Sequence, residues 1–413
     1  MQVFYNIVVF LVGGFLNLLA LFSPKLKLFV NGRKEVFTKL ESSISSSDKV
    51  FWIHCASLGE FEQGRPVLEK LKKEYSDHKI VLTFFSPSGY EIQKNYDLAD
   101  VVVYLPLDSS YNAKEFLKLV NPKVAFFVKY EFWPNLLTEL KKNETPTILM
   151  SGIFRKDQIF FKKYGSWMRS KLTAFSYFFL QDKNSLDLLD SIGFKNSVVC
   201  GDTRFDRVYD ILDRDNKLNF IEEFINDSYV LVAGSTWAED EDLLVGYFLE
   251  KFKKGEKMII APHDIQPERV NNLKLAFGGN AVLFSERQGK DLKKYSVFII
   301  DTIGILSKIY SAADLAYVGG GYTKSGIHNV LEPATFGIPV VIGPNFKKFN
   351  EANDLVSLGG CVSTHNQSFL NKTLIEFRDN ETIRKEKGLI AVSYIKESLG
   401  ASDKIIEHIQ SFY

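Results

Sequence analysis

Short β-type apolar runs alternate with helical patterns along nearly the whole chain, and this alternation restricts the fold more than any single motif. The first set of runs is 50–56, 79–84, 101–105, 123–128, 147–150 and 177–180. The second set is 229–233, 258–261, 282–284, 297–300, 315–318 and 340–342. Strands separated by helices of about 10–15 residues build parallel sheets covered on both faces. A polar stretch beginning at Asp206 interrupts the alternation, and 413 residues exceed what one compact core holds. The chain therefore reads as α/β, with two doubly wound, Rossmann-like parallel-sheet domains facing across a cleft. The expected divisions are 25–205 for the first domain, 206–225 for a linker, 226–395 for the second domain and 396–413 for a C-terminal helix. Ligands of such folds bind beyond the carboxyl ends of the strands.

Residues 1–24 carry no charged side chain, and Lys25, Lys27, Arg33 and Lys34 follow at once. As a helix at ~1.5 Å per residue this segment reaches ~36 Å, against ~30 Å for a hydrocarbon layer. The basic residues place the downstream side in the cytoplasm. A secretory signal is disfavoured, because no Lys or Arg precedes the run and no small-residue cleavage site follows. Asn6, Asn17 and Gly13-Gly14 interrupt the apolar surface, so a helix embedded on one face stands beside a spanning helix as a reading.

Composition excludes several classes. A net charge of +1 gives no bulk argument for nucleic acid. Cys55, Cys200 and Cys361 are widely spaced, which suggests neither a disulfide framework nor a zinc site. No P-loop and no G-x-G-x-x-G after the first strand of either half is present, against P-loop hydrolysis and ordinary dinucleotide redox chemistry. The acidic run 239–242 opens a helix, where the macrodipole favours it.

Four stretches carry candidate chemistry. In 316–344 a strand enters Gly319–Gly321, a helix is expected from His328-Asn329 with Pro333 in its first turn, and a second strand ends at Gly343-Pro344. Such a turn gathers backbone N–H groups and a positive dipole end about an anion. Asn329 and Glu332 would add contacts, for example to ribose hydroxyls, or Asn329 is simply an N-cap. Glu60, after the first strand, is placed to take a proton from a bound hydroxyl, yet Ser57 and Glu60 also have the spacing of a capping box. Lys129 and Glu131 share a strand face as an ion pair or as lining of the cleft. Arg204 suits a bidentate anion or a pairing with Asp206, and His263 suits a phosphate contact.

Together these stretches resemble the 3-deoxy-D-manno-octulosonic acid (Kdo) transferases of lipopolysaccharide assembly. The matching blocks run nearly the length of the chain: HCASLGE (54–60), YLPLD (104–108), YEFWPNLL (130–137), GDTRFD (201–206), AGSTWAEDE (233–241), DTIGIL (301–306) and VGGGYTKSGIHNVLEPA (318–334). The resemblance implies a GT-B glycosyltransferase with an N-terminal membrane-associating segment at the cytoplasmic face of the inner membrane. It would move Kdo from CMP-Kdo to a lipid A precursor, lipid IV(A), with inversion and without a metal or other cofactor. It places the general base on Glu60 and a transition-state cation on Arg204. It places the CMP contacts on His263, Asp264, Ile303, Gly304, Ile305, Asn329, Val330, Leu331 and Glu332.

Three positions depart from the family pattern. Lys129 stands where the family commonly has the first Glu of Glu-x-Glu, leaving Glu131 or Lys129 itself to substitute. His263-Asp264 replaces an Arg-His, removing an Arg from the nucleotide site, and Ile305 replaces a usual Glu. Phosphate binding is then expected to rest on Arg204 and on the helix near His328. Two rivals stay open: a GT-B enzyme using another activated sugar, such as an epimerase or a polyprenyl-linked glycosyltransferase, and a sugar-binding scaffold without catalysis.

Overall fold

The computed structural model describes residues 1–413 and pairs every strand in parallel, in two seven-stranded sheets. The first sheet holds β1 (Val50–Cys55), β2 (Lys79–Phe84), β3 (Val101–Tyr104), β4 (Val124–Val128), β5 (Thr147–Gly152), β6 (Tyr177–Leu180) and β7 (Ser197–Val199), ordered β3-β2-β1-β4-β5-β6-β7. The second holds β8 (Val230–Thr236), β9 (Lys257–Pro262), β10 (Ala281–Leu283), β11 (Val297–Ile299), β12 (Leu315–Val318), β13 (Val340–Ile342) and β14 (Cys361–Ser363), ordered β10-β11-β9-β8-β12-β13-β14. Two doubly wound sheets were the expectation, and twelve of the fourteen strands fall on the expected runs. The additions are β7 and β14, each of three residues at a sheet edge.

The first sheet shows why these runs form central strands. All six residues of β1 are buried, and alternate side chains enter different cores. Phe51, Ile53 and Cys55 join Phe61, Val67, Leu68 and Leu71 of the helix Leu58–Glu74. Val50 and Trp52 join Phe116 and Phe127 on the other face. Burial on both faces demands continuous apolar sequence, which β1 has.

By contacts the chain forms two units, Met1–Arg207 with Leu399–Tyr413, and Val208–Ser398. This corrects the expected boundaries in two places. Much of the stretch expected as a linker is helical: the helix Arg204–Tyr209 runs into it, and Asn219–Ile225 is a helix whose Ile221 and Phe224 pack with Val230, Val232 and Phe298 in the core of unit 2. Apolar residues at three- and four-residue spacing drive that packing, and the polar count around them masked it. The C-terminal helix Ala401–Gln410 belongs to unit 1, where Ala401, Ile405, Ile406 and Ile409 lie in the core shared with Leu68 and Leu71. It follows the helix Glu381–Glu397 after a break at Gly400, which has φ +94°.

Asp206 secures that return. Its carboxylate accepts from the Gly400 and Ser402 amides, each at 2.7 Å, and so caps the start of the C-terminal helix. Asp206→Ala should cost about 1–2 kcal/mol by loss of this cap. Urea unfolding of the full chain, with proteolysis near residue 400 as a local readout, checks it.

Candidate active site

In unit 1 the residues in question follow the carboxyl ends of β1, β4 and β7, which a parallel sheet puts on one edge. Glu60 lies in the first turn of the helix Leu58–Glu74 and is buried. The capping box does not form: Ser57 is the N-cap but its side chain makes no capping bond, and its hydroxyl donates instead to Glu60 Oε2. The carboxylate therefore faces Ser57 Oγ, and Oε1 has no hydrogen-bond partner in the protein. Its charge is felt nearby. Burial and then Glu60 push the Cys55 thiol up, and burial and then Glu60 push the Tyr130 phenol up.

The strand reading of Lys129 and Glu131 is corrected. β4 ends at Val128, and Lys129 is left-handed with φ +72°, so strict alternation stops before either charge. They do not pair. Lys129 Nζ stands 5.5 Å from the centroid of the Tyr130 ring, and the Arg155 guanidinium stands 5.7 Å from that ring. Glu131 is held elsewhere: Trp133 Nε1 donates to its Oε2 at 3.0 Å, and His54 Nε2 lies 3.4 Å from the same oxygen. Trp133 Nε1 also donates to His54 Nε2 at 3.2 Å, which leaves the ring proton on Nδ1, toward Thr83 Oγ1 at 2.9 Å.

Arg204 does not pair with Asp206, which is occupied by the C-terminal helix. Its Nε donates to Asp202 Oδ2 at 2.9 Å and its backbone N to Asp202 Oδ1 at 2.9 Å. Asp202 also accepts from Gln63 Nε2 at 3.0 Å, and Thr203 Oγ1 donates to the Gln63 carbonyl at 2.5 Å. Gln63 is one turn beyond Glu60, so Arg204 and Glu60 hang from one helix. The sequence reading missed Tyr130, Arg155, Gln63 and the pairing of buried His54 with half-buried Trp133. A polar His54 inside an otherwise apolar strand was the available signal.

In unit 2 the candidates follow β9, β11 and β12, again on one edge. The glycine turn is a packing device. Gly319 N donates to the Gly234 carbonyl at 2.9 Å, and Gly320 N to Asp240 Oδ2 at 2.8 Å, so these amides are already used. Gly320 has φ +90°, and a Cβ on Gly321 would meet the Gly343 backbone N at 2.5 Å. The helix expected from His328 begins at Leu331 and runs only to Thr335. Val330 N-caps it, and Asn329 Oδ1 accepts from Leu331 N at 3.0 Å in a local turn. Five residues make a small dipole, so the expectation that phosphate binding rests on this helix is weakened.

The remaining candidates fall as follows. Asn329 Nδ2 donates to Glu332 Oε1 at 3.3 Å, joining those two side chains. Val330 and Leu331 are fully buried, backbone included, with Leu331 N donating to Asn329 Oδ1 and the Val330 carbonyl accepting from Ala334 N, so the expected ligand contact of these two residues is corrected to a packing role. Asp264 Oδ1 accepts from Gln266 N at 3.1 Å. Ile303 is 82% exposed beside Gly304 at φ +93°, and Ile305 packs on the core. His263 stacks on Trp237 with centroids 4.5 Å apart, and His328 lies 4.5 Å from His263. Trp237 Nε1 donates to His328 Nε2 at 3.0 Å. The acidic run opens the helix Ala238–Lys251 and is structural: Asp240 accepts from Tyr317 Oη at 2.7 Å, and Glu241 from Arg269 Nη2 at 2.9 Å.

Residues 31–207 match the family model described as 3-deoxy-D-manno-octulosonic-acid transferase (kdotransferase). The 3-deoxy-D-manno-octulosonic acid transferase of Aquifex aeolicus is 30% identical over 333 residues, covering 79% of this chain and 85% of that one. The chain belongs to the Kdo transferase family. Members of this family are glycosyltransferase enzymes. The Haemophilus influenzae 3-deoxy-D-manno-octulosonic acid transferase is 25% identical over 376 residues, 87% of this chain and 86% of that one. A bifunctional glycosyltransferase/methyltransferase of Fusobacterium nucleatum is 26% identical over 375 residues, 88% of this chain but 56% of that protein. Among solved structures, the Neisseria meningitidis UDP-GlcNAc 2-epimerase bound to UDP-GlcNAc matches 88% of this chain and 100% of its own, with TM-score 0.60 and 15% identity. A glycosyltransferase from Rickettsia africae matches 88% and 98%, with TM-score 0.54 and 12% identity. At those identities the likeness shows the fold, a GT-B-type pair of Rossmann-like domains.

The stacked histidines give this family member a pH signature. Burial, then the neighbouring His263, pushes the His328 imidazole down to about 4. In the unfolded chain a histidine titrates near ~6.5, so between these values the unfolded state binds the extra proton. Stability should fall as pH drops from about 6.5 toward 4 and show no contribution from this ring above that window. Melting temperatures over pH 4–8 check it, and His328→Gln should flatten the acid limb.

Proposed function

We propose that this chain transfers Kdo from CMP-Kdo to a hydroxyl of a lipid A precursor of the lipid IV(A) type, with inversion, at the cytoplasmic face of the inner membrane. The observation that carries this is Glu60: a buried carboxylate at the carboxyl end of β1, held by Ser57 Oγ on one oxygen, with no backbone amide capped by it. A carboxylate so held has a lone pair for a proton. As the acceptor oxygen attacks the anomeric carbon of Kdo, its proton passes to Glu60. The new C–O bond forms while the bond from that carbon to the phosphate oxygen breaks. CMP leaves with the bonding pair.

Arg204 meets the phosphate charge in this reading, and Asp202 fixes its guanidinium from one side. Glu131 is engaged by Trp133 and His54, so it serves as a positioning group. Lys129, left-handed beside Tyr130, takes the place of the family's usual acid as a second cation. In unit 2, His263 and Asp264, the 303–305 turn, and Asn329 with Glu332 hold the CMP. Val330 and Leu331, buried beneath that turn, hold Asn329 and Glu332 in place. These protein groups answer the developing charge, and no metal is called for. The lipid character of the acceptor is supported by a cavity of about 240 Å³ in unit 1 whose lining joins apolar Leu16, Phe29, Phe37 and Leu107 to the cations Arg33 and Lys34. Membrane attachment is supported by the uncharged helix Gln2–Leu19 and the basic residues after it.

Purified protein given CMP-Kdo and a tetra-acylated lipid A precursor should yield a product heavier by Kdo units, read by mass. Glu60→Gln should lower kcat about 10²–10⁴-fold while calorimetric CMP-Kdo binding holds. Near-normal turnover with intact donor binding overturns the base assignment.

A further inference from the structure

The helix Gln2–Leu19 is long and apolar enough to cross a bilayer, but its contacts run the other way. Gln2, Tyr5, Asn6, Val9, Gly13 and Leu16 are half-buried, and they recur at three- and four-residue steps. Such a pattern is one stripe down one face of a helix. That stripe lies against the body of unit 1. Near its start Tyr5 Oη donates to Asp108 Oδ2 at 2.9 Å, Asn135 Nδ2 donates to Asn6 Oδ1 at 2.8 Å, and Gln2 Nε2 donates to Asn135 Oδ1. Midway, a Cβ on Gly13 would stand 3.3 Å from Leu107 Cδ1. Beyond its end, the helix Pro24–Asn31 buries Phe29, and Arg33 donates to the carbonyls of Leu105 at 2.9 Å and Phe85 at 2.7 Å.

The opposite face presents Val3, Phe4, Phe10, Leu11, Phe15 and Leu18 outward, all exposed. Asn17 hides its amide by donating to the Gly13 carbonyl at 2.8 Å. We propose that this helix lies along the bilayer, embedded by its outward face and clamped to unit 1 by its inner stripe, and does not cross. The proposal rests on the membrane attachment given above. A crossing helix of this length would carry Gln2 about 26 Å from Leu19, to the side away from the body. Asp108 and Asn135, 2% and 3% exposed, would then lose the partners that Tyr5, Asn6 and Gln2 supply. The partner is a lipid surface bearing anionic headgroups, because Lys25, Lys27 and Lys34 are exposed immediately after the helix.

Phe4, Leu11 and Leu18 are spaced by sevens on the outward face, and the native Cys55, Cys200 and Cys361 are buried, so a thiol-reactive nitroxide reports one introduced site at a time. Phe4→Cys, Leu11→Cys and Leu18→Cys in the full chain are labelled and bound to phosphatidylcholine vesicles containing phosphatidylglycerol. Depth is read by electron paramagnetic resonance from collisions with oxygen and with a water-soluble nickel chelate. The expected result is one shared depth, within about 5–10 Å of the headgroup boundary. A label at 11 lying about 10 Å deeper than labels at 4 and 18 overturns the proposal in favour of a crossing helix. Failure of the full chain to sediment with the vesicles overturns the attachment itself, a separate outcome from the depth profile.

Discussion

In a parallel sheet every strand leaves by the same edge, and each unit of this protein depends on that constraint. Six or more loops converge on each such edge, and the folding problem is to keep them apart and fixed. The chain solves it with buried hydrogen bonds that tie one loop to the next. In unit 1 Gln63 joins the helix after β1 to the segment after β7, and Ser151 Oγ, at the end of β5, lies 2.9 Å from Thr203 Oγ1. In unit 2 Asp240 links the helix after β8 to the glycine turn after β12. An edge tied in this way presents its charged groups at set positions, which is the condition for charge stabilisation in a reaction.

Three of the seven non-glycine residues with positive φ stand on these same edges. Lys129, Ser151 and Ser235 are non-glycine residues in the left-handed region, with φ +72°, +53° and +53°, and they stand at the carboxyl ends of β4, β5 and β8. Such conformations cost about 1–3 kcal/mol each and persist where surroundings over-determine them. The glycines are the counterpart. β8, β12 and β13 are neighbours, and where they exit, Gly319 abuts Ser235 and Gly321 abuts Gly343, backbone on backbone. No side chain fits at either contact.

Much of this was legible in the order of residues. Central strands such as β1 and β4 are buried on both faces and must be continuously apolar, so their limits showed to within a residue or so. The edge strands β7 and β14 were not legible, because three residues, half-covered in β7 and with only Cys361 buried in β14, carry no such signature. Local spacing identified Glu60 and Arg204 as notable, and gave Glu60 the right partner residue through the wrong atom but Arg204 the wrong residue. Ser57 and Glu60 met side chain to side chain, and Arg204 took Asp202 in place of Asp206, because Asp206 was claimed by a helix nearly 200 positions away. Partners that distant leave no trace in a window of a few residues. The same holds for His54, whose Thr83 and Trp133 neighbours come from other loops and strands.

The return of residues 399–413 to unit 1 has a consequence for biosynthesis. Ile405, Ile406 and Ile409 complete the apolar layer over Leu68 and Leu71, so the first unit to leave the ribosome is the last to be finished. Unit 2, whose residues 208–398 are contiguous, is free to close while the earlier half still exposes an unfilled groove. Nascent chains stalled before residue 399 should therefore be the species most in need of a chaperone.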